Sequence, residues 1–105
     1  MTEEAKTINL DFQFNDEEGA PAVYEDTKKP VNIRDTIRKV LLVPQKDEKI
    51  AADHFVMWME LKDAADYAFT SKQTTRILDL VREHLPMIVW GQLVQQMDPS
   101  ILGGK

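Results

Sequence analysis

Few residues in this sequence could do chemistry. Its two histidines, His54 and His84, each lie within a helical pattern, and neither has a second histidine or a carboxylate at metal-ligand spacing that also faces a cleft. The four glycines are too dispersed to form a phosphate-binding loop. Cysteine is absent, which excludes disulfides and thiolate ligands. We therefore expect no enzymatic activity, no catalytic residue, no metal and no cofactor. We interpret both histidines as partly buried residues whose ring nitrogens have hydrogen-bond partners.

The elements that would position such residues are mainly helices. Between residues 71 and 97 the apolar positions recur in steps of three and four, which predicts two amphipathic helices at about 72–84 and 86–97. Ser71 is the expected N-cap of the first helix. Pro86 is expected at the bend, as the first residue of the second helix, and Asp98-Pro99 should end it.

Two further helices are expected earlier in the chain. Asn32 is a candidate N-cap for a helix that ends before Pro44. Residues 50–66 predict another helix, whose apolar arc is so wide that little of its middle is polar. Such a helix is buried between elements or used by a partner. Residues 63–70 are expected to be a connector.

The N-terminal region predicts a β-strand. Apolar residues alternate with polar ones over residues 7–14, and residues 15–19 have turn chemistry. Residues 22–24 could form a return strand and complete a hairpin. Since a lone hairpin is marginally stable in water, its apolar face must pack either on the chain's own helices or on a neighbouring subunit.

The expected fold is therefore a mainly α single domain, a small bundle of about four helices with a short N-terminal β-strand or hairpin. It divides into an acidic N-terminal arm (1–30), a helical body (31–99) and a flexible tail (100–105). The net charge is −5, and residues 1–27 contain eight acidic groups against Lys6 alone. This arm is either solvated or paired with basic surface, its own or a neighbour's.

Charge and hydropathy limit the partners and the compartment. The acidic balance and the lack of a basic cluster argue against nucleic-acid binding. No apolar run is long enough for a membrane span, and the first residues do not resemble a signal peptide. We expect a cytoplasmic interaction module. Its predicted oligomer- or partner-binding residues are Ile8, Leu10, Phe12, Phe14, Arg34, Arg38, Trp58, Trp90, Val94 and Met97.

The order of segments resembles a known family. An apolar strand with an acidic turn (INLDFQFNDEEG) leads through KPVNIRDTIRKVLLVP and HFVMWMELKDAA to TSKQTTRILDLVREHLPMIVWGQLVQQMDP. Over about residues 7–99 this is similar to the small tail assembly chaperones of long-tailed, lambdoid bacteriophages.

The resemblance implies a physical mechanism without catalytic residues. A homo-oligomerising chaperone would coat the tape measure protein in the host bacterial cytoplasm and keep it soluble. Tail tube protein, a further partner, would then polymerise and displace the chaperone, which would be absent from the mature virion. In that family a ribosomal frameshift makes a longer form, and the ending Gly103-Gly104-Lys105 is compatible with such a site.

Two other classes of function compete with this interpretation. One is a small helical adaptor or inhibitor that forms a tight complex with a single host protein. The other is a helix-turn-helix DNA-binding protein that would use residues 33–61. The acidic charge argues against the second class.

Overall fold

A computed structural model describes residues 5–103. It confirms the mainly α class with four α-helices and a short N-terminal strand. Glu3 and Glu4 of the acidic arm, and Gly104 and Lys105 of the expected tail, lie outside the described residues. The elements in chain order are β1 (Ala5–Asn9), α1 (Ile33–Leu41), α2 (Glu48–Glu60), β2 (Asp66–Thr70), α3 (Ser71–His84), α4 (Met87–Met97) and a 3-10 helix (Pro99–Leu102).

The N-terminal strand pairs with a segment that we expected to be a connector. β1 and β2 form a two-stranded antiparallel sheet in which Ile8 lies opposite Tyr67. The strand is also shorter than the predicted 7–14, because regular pairing ends at Asn9. The sequence of β2 does carry the strand signal, since aromatic Tyr67 and Phe69 alternate with small or polar residues.

The predicted turn after the strand is present, although residues 22–24 do not form a regular return strand. The Ala22 N–H donates to the Phe14 carbonyl at 2.8 Å, and Gly19 adopts a φ of 84° in the turn between them. Pairing there is limited to isolated bridges that involve Pro21 and Pro30. Proline has no N–H to donate, so a continuous ladder cannot extend through either position.

The apolar face of the N-terminal segment packs on the chain's own helices. Ile8, Leu10 and Phe14 are buried in one core with residues from all four helices. Gln92 of α4 holds the adjacent turn by accepting from the Asn15 N–H and donating to the Asn15 carbonyl, both at 2.8 Å. Of the two placements considered for this face, the structure shows the intramolecular one.

The helix ends follow local chemistry, with two corrections. Asn32 caps α1 as predicted, accepting from the Asp35 N–H at 2.9 Å. The N-cap of α3 is Thr70 and not Ser71, because Thr70 forms a reciprocal capping box with Gln73. Pro86 is the N-cap of α4 and not its first residue, since its ψ of 150° is extended.

The bounds of α2 and of the C-terminal tail also differ from the prediction. α2 begins at Glu48, where Asp47 caps the first turn, and it ends at Glu60 rather than near residue 66. α4 ends before Asp98-Pro99 as expected, but residues 99–102 then form a 3-10 helix within the segment predicted to be flexible.

Candidate functional site

The surface feature that stands out is one side of α2, which we call the α2 face: Phe55, Val56 and Met59. Their side chains are each about half exposed, at 50%, 49% and 50%. Only His54 and Met57 of this helix are buried. The predicted surplus of apolar residues therefore faces outward. Adjacent apolar side chains that remain accessible to solvent make this face a candidate surface for a partner.

The aromatic part of this surface is held in place from α1. Trp58 stacks on Phe55 with ring centroids 5.5 Å apart. The guanidinium of Arg38 lies 4.3 Å from the centre of the Trp58 ring, and its Nε donates to the Trp58 carbonyl at 3.0 Å. A partner would therefore meet aromatic side chains that are already ordered, which lowers the entropic cost of binding.

Arg34 secures the end of the same helix. Its Nε donates to the Leu61 carbonyl at 3.2 Å, and an amino group donates to the Ala64 carbonyl. It also forms a 2.8 Å ion pair with Asp11 of the acidic arm. The last turn of α2 contains no basic residue of its own. The two arginines of α1 thus supply positive charge to the negative end of α2.

The structure places the predicted partner-binding residues in three settings. Arg34 and Arg38 bind α2, as described above. Phe12, Trp58 and Trp90 are partly buried against the core. The other five residues are buried in the chain's own core and are therefore inaccessible to a partner in this conformation: Ile8, Leu10, Phe14, Val94 and Met97.

The prediction of site residues omitted the three members of the α2 face. The wide apolar arc of their helix was the only feature of the sequence that indicated exposed apolar residues on it. Its periodicity could not show which side would be left uncovered, because that depends on how α1 packs against it.

A groove separates α2 from α3. α1 packs against both helices, and the groove between them contains a cavity of about 490 Å³ with an apolar floor that includes Ile50 and Ile77. His54 lines this cavity and is only 3% exposed. Among residues 5–103, no protein group is within hydrogen-bonding distance of either of its ring nitrogens. His84, by contrast, is exposed. The prediction that both histidines are partly buried and hydrogen-bonded is therefore wrong, because His54 is buried without a partner in this part of the chain and His84 faces solvent.

The surroundings of His54 disfavour its protonation. Burial lowers the pKa of His54, the positive charge of Arg76 lowers it further, and Asp53 partly opposes both effects. The folded state therefore binds a proton on this ring less readily than the unfolded chain does.

Replacing His54 should change both stability and its pH dependence. Unfolded histidine titrates near 6.5, so the wild-type free energy of unfolding should fall as the pH drops from about 7 through this value toward the lowered folded pKa. His54→Leu should remove that slope. It should also stabilise the protein by about 1–2 kcal/mol at neutral pH, because no unsatisfied polar atoms stay buried. Urea unfolding between pH 5 and 8 measures both effects. His84→Gln is the control, and a slope that persists in His54→Leu but disappears in His84→Gln would contradict the assignment.

The described chain has little that suggests other chemistry. No three histidine, aspartate or glutamate residues within 5–103 are grouped so that they could hold a metal ion. In the same part of the chain, no helix combines the length and the apolar character needed to cross a membrane. Comparisons of the chain with protein-family models, curated proteins and solved structures found no match.

Proposed function

We propose that this chain is a tail assembly chaperone of a long-tailed bacteriophage. Several copies would bind the tape measure protein in the host cytoplasm, keep it soluble, and promote polymerisation of the tail tube. The α2 face is the observation that carries the proposal, because a holdase needs accessible apolar side chains on a stably folded body. The order of segments between residues 7 and 99 supports the same class of protein.

The composition of the α2 face suits a partner of varied sequence. Met59 has a flexible, polarisable side chain that adapts to different apolar surfaces. Phe55 offers a broad rigid ring, which is supported from below by the partly buried Trp58 that stacks on it. A face of this size would hold each client segment weakly, so retention of a long client would require many copies, whose linked binding events add avidity. Weak single contacts also allow the polymerising tail tube to displace the chaperone.

The acidic arm supports the solubilising part of the proposal. Its exposed carboxylates within the described residues are those of Asp11, Asp16, Glu17, Glu18, Glu25 and Asp26. The arm is fixed to α4 through Gln92 and to α1 through Arg34. Each bound copy would therefore bring net negative charge to an apolar client, and mutual repulsion between coated clients would oppose their aggregation.

Removing the apolar groups of the α2 face should abolish client retention and leave the fold intact. We expect Phe55→Ser/Met59→Ser to reduce the soluble yield of a co-expressed tape measure protein roughly tenfold, since the lost contacts are those of the binding surface. The melting temperature should change little, because both side chains are half exposed. Soluble yield, and light scattering coupled to size exclusion over a range of concentrations, are the measurements.

Met87→Ser is the matched control, because Met87 is 64% exposed but lies on α4. Equal loss of client with both variants would show that general surface hydrophobicity matters and the α2 face does not. A concentration-independent monomer that leaves the tape measure protein insoluble would contradict the proposal. If that monomer instead formed a tight 1:1 complex with one host protein, the adaptor class would replace the chaperone.

A further inference from the structure

We propose that the groove between α2 and α3 binds an amphipathic helical segment of the partner. Two adjoining cavities, each of about 490 Å³, run along the groove and share Ile50, His54, Lys72 and Arg76 in their linings. A groove between two helices that are both supported by a third is a recurrent site for an added helix. The apolar floor would cover the apolar stripe of such a segment, which excludes a purely polar ligand.

The charges on the two rims define the chemistry of the segment. Around the first cavity, Asp53 and Glu60 lie on the α2 side together with Asp47 and Lys49, whereas Lys72 and Arg76 lie on the α3 side. The α2 side of this cavity is therefore acidic on balance and the α3 side basic. The α3 side of the second cavity also carries Asp79 and Glu83. Within residues 5–103, no salt bridge joins the two rims. The rim charges therefore remain available. A helix with basic residues along one flank of its apolar stripe and acidic residues along the other would complement both rims of the first cavity.

The acidic rim is itself ordered. The Tyr67 hydroxyl donates to the Glu60 carboxylate at 2.8 Å. Burial, this hydrogen bond and the negative charge of Glu60 together raise the pKa of Tyr67 to about 12, so its hydroxyl keeps its proton over the physiological range. Glu60 is thus oriented while its second carboxylate oxygen can still accept from a lysine of the partner.

His54 is an independent sign that the groove receives a ligand. Buried polar atoms in native proteins nearly always have a hydrogen-bond partner, and a buried imidazole without one is costly. Both of its ring nitrogens lack a protein partner in the described chain. A polar side chain of the bound segment would supply a partner once the ring turns toward the groove, because both nitrogens are shielded from solvent in the free chain. His54 would then have a hydrogen-bond partner only in the complex.

The groove and the α2 face form one continuous surface. Val56 belongs to the α2 face and also lines the groove. A client helix in the groove would therefore place the adjoining client chain over Phe55 and Met59. This proposal rests on the proposed function for the identity of the client, the tape measure protein, but the shape and charge of the groove do not depend on that identity.

The two histidines allow a direct test. The protein is labelled with ¹⁵N in its histidine rings and titrated with a stapled helical peptide of about four turns. The peptide carries a leucine stripe with lysines on one flank and glutamates on the other. We expect the ring signals of His54 to shift on binding by more than those of exposed His84, whose partner Glu83 lines only the second cavity. Lys72→Glu/Arg76→Glu should weaken binding about tenfold. Lys39→Glu/Lys62→Glu, which makes the same charge change at exposed positions outside both cavity linings, should have little effect.

The outcomes separate this proposal from the proposed function. Peptide binding that leaves His54 unperturbed, or equal weakening by both charge variants, would overturn the groove as the site. Absence of peptide binding at millimolar concentration would also overturn it. Soluble yield of the tape measure protein judges the chaperone function independently. A chaperone that retains its client after Lys72→Glu/Arg76→Glu, but loses it after Phe55→Ser/Met59→Ser, would act through the α2 face alone.

Discussion

Phe14→Ala is expected to lower the free energy of unfolding by about 3–5 kcal/mol. The ring of Phe14 is 1% exposed and meets Phe12 edge-on, with centroids 6.1 Å apart. The Phe14 N–H also donates to the Val31 carbonyl at 2.8 Å, which joins the N-terminal segment to the entry of α1. Since a domain of this size is stabilised by only about 5–15 kcal/mol, the loss would leave a substantial unfolded population at physiological temperature.

Urea unfolding followed by circular dichroism measures this loss. Val23→Ala is the control, because Val23 lies in the same arm and is 45% exposed. It should cost no more than about 0.5 kcal/mol. A near-zero cost for Phe14→Ala combined with loss of oligomers would show that the N-terminal face packs on another subunit in solution, which is the arrangement that the described fold contradicts.

The elements that sequence reasoning located best are those with long periodic patterns. α3 and α4 extend over several turns, so their apolar spacing identified both helices and the break at Pro86. Asn32 and Asp98-Pro99 marked helix boundaries through local chemistry that needs no tertiary information. Leu85 adopts an extended conformation, with ψ at 160°, as expected for a residue before proline.

Non-local pairing was the main source of error in the fold. β1 finds its partner about sixty residues further along the chain, and no local rule relates the two segments. The five residues of β2 are followed directly by α3. Because their alternation is short and precedes a strong helical pattern, the sequence predicts a connector there. A hairpin with residues 22–24 was the local alternative, and the prolines beside it kept it from forming a regular ladder.

The candidate site was predictable in kind and unpredictable in detail. The surplus of apolar residues in α2 indicated either burial between elements or a partner surface, and the fold leaves Phe55, Val56 and Met59 half exposed. The roles of the two arginines depend on tertiary contacts: their spacing on α1 indicated only a shared face, whereas the structure directs both to α2. The groove could not be predicted, because it depends on the distance between α2 and α3, and no sequence pattern gives that distance.

The second large effect concerns Arg34, because this one side chain joins three parts of the chain. Arg34→Met should lower the free energy of unfolding by about 2–3 kcal/mol, since the carbonyls of Leu61 and Ala64 would lose a charged donor. Arg34 itself is only 17% exposed at its side chain, so water would replace these bonds poorly. Methionine retains the apolar stem and removes the guanidinium, which separates the loss of hydrogen bonds from a loss of packing.

Two controls identify which contacts of Arg34 carry the effect. Asp11→Asn removes the ion pair alone, and because the Asp11 side chain is 61% exposed the cost should stay below about 1 kcal/mol. Lys39→Met removes a positive charge from an exposed position of α1 and should be nearly neutral. Amide hydrogen exchange should then show faster opening at the C-terminal end of α2 and in the turn before β2 only in Arg34→Met.

If Asp11→Asn cost as much as Arg34→Met, the acidic arm, and not the end of α2, would be what Arg34 stabilises. In that case salt would weaken the protein strongly, because exposed ion pairs are screened and buried carbonyl bonds are not.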